Sequence, residues 1–230
     1  GLLNLDGYQL STSQQIRCEV RGTKLSVDLA DDNQLSPRVL LDTVGNSALP
    51  ADIQVKAKQV LIALWQAESR VHGEPQDALE LEELGTIDTL IDVVGVIIGL
   101  KELGVKGVYA SPLILGAATP PRRPGGYSNP APATLELASM SGAKVAPDNP
   151  LFEGAGELTT PTGAAIITSL ATFQRPSMTV SKIGVGLGRR DPAHFPNVVR
   201  IWLGDTEDIP IARTQGNIVL LETNLDDVTG

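Results

Sequence analysis

Hydrophobic and polar positions along the chain divide it into a short strand-bearing start, a helical middle and a strand-rich last third. Residues 8–29 read as two short strands, Tyr8–Leu10 and Lys24–Leu29, the second alternating polar and apolar as a half-buried strand does. Asp31–Ser36 is polar and turn-like. Pro37 then suits the first turn of a helix capped by Ser36. A longer helix is predicted from about Pro50 to Val71, with Val55, Val60, Ile62, Ala63 and Trp65 on its apolar face and Gly73 and Pro75 ending it.

Thr86 can cap a second strong helix over Ile87–Leu103. Ile87, Leu90, Ile91, Val94 and Ile98 follow helical spacing, while Val93, Val96 and Ile97 fill the opposite side, the pattern of a buried helix. Val105–Leu115 follows as a buried strand. Thr119–Pro132, with prolines at 120, 121, 124, 130 and 132, is a loop or lid, because no regular element tolerates that density. Helices over Ala133–Ala138 and Pro161–Phe173 come next, then strands at Met178–Val185, Val198–Leu203 and Ile218–Glu222. The fold class expected is α/β of mixed type (α+β), with buried helices packed on a mixed sheet.

Composition narrows the chemistry. Of 230 residues, two are histidine and one is cysteine, so a soft-ligand metal site of the usual His/Cys kind cannot be built from this chain. The single Cys18 cannot form an internal disulfide, and its sequence neighbourhood gives the expectation of a buried, inert thiol. No leader-like segment opens the chain, and the apolar run Ile87–Leu100 is too short to span a bilayer and carries Asp88 and Asp92, so a cytoplasmic location with no membrane contact is expected. A net charge of −9 argues against nucleic-acid binding. Local positive charge remains in the pairs Arg122–Arg123 and Arg189–Arg190, enough for a small anion. The chain begins at Gly1 and stops at Gly230 just after Asp226–Asp227, which gives the expectation of a fragment.

Three constellations could carry chemistry. The first is the acidic group Glu80, Glu82, Glu83, Asp88 and Asp92. Asp88 and Asp92, four apart, share a helix face, and Glu80 and Glu82 point the same way in an extended segment. Such hard oxygen donors suit magnesium, manganese or calcium better than softer metals, although a solvated acidic face has the same pattern. The second is Glu157–Leu–Thr–Thr–Pro–Thr–Gly163. Thr160 caps a helix with Pro161 at its first position, and Thr162 and Gly163 leave a first turn where a phosphate or carboxylate could sit; simple capping explains Thr160 and Pro161 equally well. The third is Lys182–Ile–Gly–Val–Gly–Leu–Gly–Arg–Arg–Asp191, whose glycine spacing is not that of a dinucleotide fingerprint. It reads either as an anion-binding loop or as a bulged strand and turn. His72 and His194 read as capping or surface residues.

Further stretches join these in a fixed order: Glu83–Leu–Gly–Thr–Ile–Asp–Thr–Leu–Ile–Asp–Val–Val–Gly95, Tyr109–Ala–Ser–Pro–Leu113, Pro130–Ala–Pro–Ala–Thr–Leu–Glu136, Gly156–Glu–Leu–Thr–Thr–Pro–Thr–Gly–Ala–Ala165, Lys182–Ile–Gly–Val–Gly–Leu–Gly188, Pro196–Asn–Val–Val–Arg200 and Glu222–Thr–Asn–Leu–Asp–Asp227. From roughly residue 8 to the end, this series resembles the LarC family, the nickel-insertion proteins of nickel-pincer cofactor biosynthesis. The resemblance implies insertion of nickel (a cyclometallation) into pyridinium-3,5-bisthiocarboxylic acid mononucleotide, with CTP hydrolysed alongside magnesium or manganese, in support of lactate racemase maturation. It implies a nickel-inserting lyase or chelatase, with lactate racemase or other maturation proteins as partners and a homo-oligomer open. It also implies a main domain over residues 1–215, residues 216–230 as the start of a C-terminal CTP-binding domain, and a missing N-terminal segment.

On this resemblance Glu83, Asp88 and Asp92 fall on family positions. Glu80 and Glu82 stand where the family has a His-x-His pair, Pro124–Gly125 where it has Ala-His-Gly, and a histidine-rich loop is absent near Asp31–Gln34. Imidazole suits nickel and carboxylate suits harder ions, so each change weakens the chain's own hold on nickel. A non-catalytic scaffold or metal-delivery protein of the same family is the alternative reading. The mononucleotide's phosphate is assigned to Thr160, Thr162 and Gly163 or to Arg122, Arg123, Arg189 and Arg190.

Overall fold

A computed structural model describes residues 2–31, 33–81, 84–121, 128–206 and 217–222. Five α-helices and a six-stranded mixed sheet are found among them, the mixed α/β architecture expected. The strands are β1 (Tyr8–Arg17), β2 (Val20–Leu29), β3 (Val105–Ala110), β4 (Met178–Leu187), β5 (Val198–Thr206) and β6 (Asn217–Glu222), in spatial order β1-β2-β4-β5-β6-β3. β2 runs parallel to β4 and β3 parallel to β6; the other neighbours are antiparallel. The boundary expected near residue 215 falls just before β6, which pairs within this same sheet between β5 and β3.

The helices are α1 (Pro37–Gly45), α2 (Ala51–His72), α3 (Ile87–Glu102), α4 (Pro132–Ser141) and α5 (Pro161–Leu170). Their ends follow local chemistry. The Ser36 hydroxyl accepts a hydrogen bond from the Val39 amide, with Pro37 opening α1. Gly73, at φ +70°, closes α2 in the left-handed conformation that glycine adopts without penalty. α2 is the hub and packs against the other four helices, burying Ile53, Ala57, Val60, Leu61, Leu64, Trp65 and Ala67. Its buried stripe is therefore rotated from the one expected, leaving Val55 66% and Ile62 38% exposed.

Other expectations also change. The first two strands are ten residues each, joined by a two-residue turn at Cys18 and Glu19, both with positive φ. Cys18 is exposed at this turn, not buried, with its Sγ 3.7 Å from the Pro192 carbonyl oxygen. On β2 the half-buried side carries Lys24 and the buried Gly22, whereas Leu25 is exposed. The strand expected over Val105–Leu115 ends at Ala110, and α5 ends at Leu170. No helix of the described residues is long and apolar enough to cross a membrane.

Candidate functional site

Chain direction brings several of the candidate segments to one end of the sheet. Strands β2, β4, β6 and β3 all point the same way, because each adjacent pair is either parallel or separated by the antiparallel β5. Helix α3 returns into β3 through Leu103 and Gly104, so its first turns lie near the carboxyl end of β3. In open α/β sheets this is the end where ligands bind.

Asp88 and Asp92 lie one helical turn apart on α3, and both are exposed. The helix is thus apolar on most of its circumference but not all of it. Its carboxyl is nonetheless raised from the ordinary aspartate range to about 6. Burial by surrounding protein is the largest cause; the Asp88 charge adds to it and the Lys24 ammonium opposes it. A divalent cation there would relieve the repulsion between the two carboxylates.

Lys24 was not singled out from the sequence. The available signal was Gly22, since a strand glycine marks close approach on its face. A Cβ on Gly22 would fall 2.6 Å from Leu187 Cδ2, and Lys24 is the next residue on that same side. Glu80 is exposed between the buried Leu79 and Leu81 in the stretch leading to α3. Glu82 and Glu83 lie outside the described residues, and among the described residues no group of three or more His, Cys, Asp or Glu forms a ready-made metal cage.

The second constellation forms a docked strip beside the segment after β3. Leu158 donates its amide to the Leu115 carbonyl at 3.2 Å, the Thr159 hydroxyl donates to the Ile114 carbonyl at 2.6 Å, and the Thr134 hydroxyl reaches the Thr159 carbonyl at 3.4 Å. The amino ends of α4 and α5 are thereby held together against residues 114–117. Gly116 makes the close approach possible: its φ is +89°, and a Cβ there would lie 1.9 Å from the Gly156 carbonyl oxygen. The Thr160 hydroxyl accepts the Gly163 amide at 3.2 Å, so the capping expected is present and uses that amide. The Thr162 side chain is buried.

The third constellation meets the second. Arg190 donates from Nη1 to the Ala155 carbonyl oxygen at 2.8 Å, and Phe152 packs edge-on against Phe195 with ring centroids 5.2 Å apart. The 188–197 loop is therefore pinned to the chain that leads into Thr160. Arg189 is exposed on that loop. Below it, Arg17 pairs with Asp191. Arg122 and Arg123 lie outside the described residues. The base of their loop is closed by Thr119 and Asn129, which exchange backbone hydrogen bonds, and by the Asn129 side-chain amide donating to the Ala117 carbonyl. His72 pairs with Glu68 at 3.4 Å on α2, and His194 is exposed.

The Asp88–Asp92 turn of α3, the Thr160-capped first turn of α5 and the arginine-bearing 188–197 loop are the candidate segments at this end of the mixed sheet. The nickel insertion protein family model matches residues 1–230, and the chain belongs to that family. A Roseiflexus castenholzii protein named for nickel insertion is 42% identical over 228 residues, 98% of this chain and 56% of its own length. A Dictyoglomus thermophilum protein, also named for nickel insertion, is 38% identical over 226 residues, again 56% of its own length. The pyridinium-3,5-bisthiocarboxylic acid mononucleotide nickel insertion protein of Desulfitobacterium hafniense is 32% identical over 234 residues, covering 98% of this chain and 56% of the relative. The chain thus spans a little over half the length of these relatives. No solved structure matches it.

Proposed function

We propose that the protein to which this chain belongs inserts nickel into pyridinium-3,5-bisthiocarboxylic acid mononucleotide in the cytoplasm, in a CTP-dependent reaction that makes the nickel-pincer cofactor used by lactate racemase. The observation that carries the reading is the match, along 98% of the chain, to a relative named for that mononucleotide. Nickel is the cargo and the mononucleotide its acceptor. Asp88 and Asp92 gather the cation, with Glu80, Glu82 and Glu83 in the stretch just before α3. Carboxylates hold nickel less firmly than imidazole or thiolate does, so the metal passes readily to the sulfur donors of the thiocarboxylates. The Lys24 charge opposes the upward shift of the Asp92 carboxyl and offsets part of the negative charge there. The mononucleotide's phosphate is assigned to the first turn of α5 at Thr160, Thr162 and Gly163 together with Arg189 and Arg190, or to Arg122 and Arg123.

Glutamates at 80 and 82, where the family resemblance implies a His-x-His pair, favour a second reading as a metal-delivery protein that binds nickel without completing the insertion. The two are separated by incubating the complete protein with the thiocarboxylated mononucleotide, nickel and CTP with magnesium or manganese, and following product by its mass and absorbance. Product formation supports the insertion reading. Nickel binding without product supports delivery.

A further inference from the structure

We propose that β1 is a self-pairing edge, through which two copies of this protein join their sheets across a two-fold axis at Ser13. β1 is the outermost strand on its side of the sheet, ten residues long, and eight of the ten are exposed, so nothing covers its outer edge among the described residues. Natural edge strands are normally blunted by lysine, proline, a bulge or a cover. β1 has none of these: residues Tyr8–Ile16 carry no charge and no proline, and the register with β2 is unbroken from Tyr8 to Arg17.

The phase of the free edge follows from the turn. Arg17 and Val20 flank a two-residue turn, whose closing hydrogen bond joins that pair, and such pairs alternate along an antiparallel ladder. The Ala30 amide donates to the Gly7 carbonyl at 2.7 Å, in the same odd-numbered phase. Odd residues of β1 therefore turn their peptide groups to β2, and Leu10, Thr12, Gln14 and Ile16 turn theirs outward.

That phase selects the partner. Leu10 is 48% exposed and Ile16 is 67% exposed, both on one face of the sheet and equidistant from Ser13. In an antiparallel pair centred on Ser13, each Leu10 lies opposite the other copy's Ile16, each Thr12 opposite Gln14, and all of these are the outward-bonding positions. Apolar cross-strand pairs of this kind stabilise a sheet, and an uncharged strand brings no like charges together. Polar positions between two apolar ends, symmetric about Ser13, are complementary to the strand itself. A second copy is the occupant this edge fits.

The test uses the complete protein. Ser13 pairs with itself at a non-hydrogen-bonded position, where Cα atoms stand about 4.5 Å apart, within disulfide reach. With Cys18→Ser as the parent, addition of Ser13→Cys is expected to give a covalent dimer on mild oxidation, while the parent gives none. By sedimentation, Leu10→Lys/Ile16→Lys raises the dimer dissociation constant at least about tenfold, whereas Leu10→Glu/Ile16→Lys retains the dimer by pairing opposite charges. All four side chains are on the surface, and circular dichroism verifies that each variant is folded. A monomeric wild type, failure of Ser13→Cys to cross-link, or a folded Leu10→Lys/Ile16→Lys variant that dimerises as well as wild type overturns the proposal.

Discussion

Asp92 stands one turn beyond Asp88 on the same face of α3, and its carboxyl titrates near pH 6 because protein crowds it and Asp88 repels its charge. If nickel is gathered at this carboxyl, as proposed, it competes there with protons in an accessible pH range. Nickel affinity of the complete protein is expected to rise between pH 5 and pH 7 and to level off above. Asp92→Asn is expected to bind more weakly and to lose most of that dependence, as read by equilibrium titration at a series of pH values.

The same carboxyl affects stability. Its folded pKa of about 6 lies above the unfolded value near 4, so the folded state binds the proton more tightly. Stability from this group is fully present below about pH 4, falls as pH rises towards 6, and stays reduced above. Asp92→Asn is expected to be more stable than wild type at pH 7.5 and not at pH 4. Because the residue is exposed, solvent screening limits the gain to about 1 kcal/mol or less. Urea unfolding at the two pH values measures it.

Gly116 is the backbone position on which the docked strip depends. Gly116→Ala places a methyl group against the Gly156 carbonyl and forces a side chain into φ +89°. A loss of at least about 2 kcal/mol is expected in chemical denaturation.

Thr160→Ala removes the acceptor of the Gly163 amide and is expected to cost about 1 kcal/mol, while Thr160→Ser retains most of it. Thermal melts of the two variants decide whether the hydroxyl or only the threonine methyl matters.

The parts of the molecule legible in the sequence are those set by local chemistry. Ser36–Pro37, Gly73 and Thr160–Pro161 mark helix ends because caps and left-handed closures depend on one or two residues. β1 was only partly visible because Ser11, Thr12, Ser13, Gln14 and Gln15 show no alternation; with both faces exposed, nothing selects one. The turn at Cys18–Glu19 carries no glycine or asparagine, so its positive φ values left no signal. Leu25 and Lys24 exchange their expected sides because the sheet buries its helix-facing side at Gly22 and leaves the other open. In the site, Asp88 and Asp92 were paired by spacing alone. The link from Arg190 to Ala155 was hidden, since it joins residues 35 apart through a backbone acceptor that has no residue preference.

The central claim, that the Asp88–Asp92 turn delivers nickel to the mononucleotide, is tested most directly by the insertion rate of the complete protein, wild type against Asp92→Ala. The expected result is product from wild type and a rate at least about tenfold lower from the variant, with its fold intact by circular dichroism. Equal rates for the two would contradict the claim.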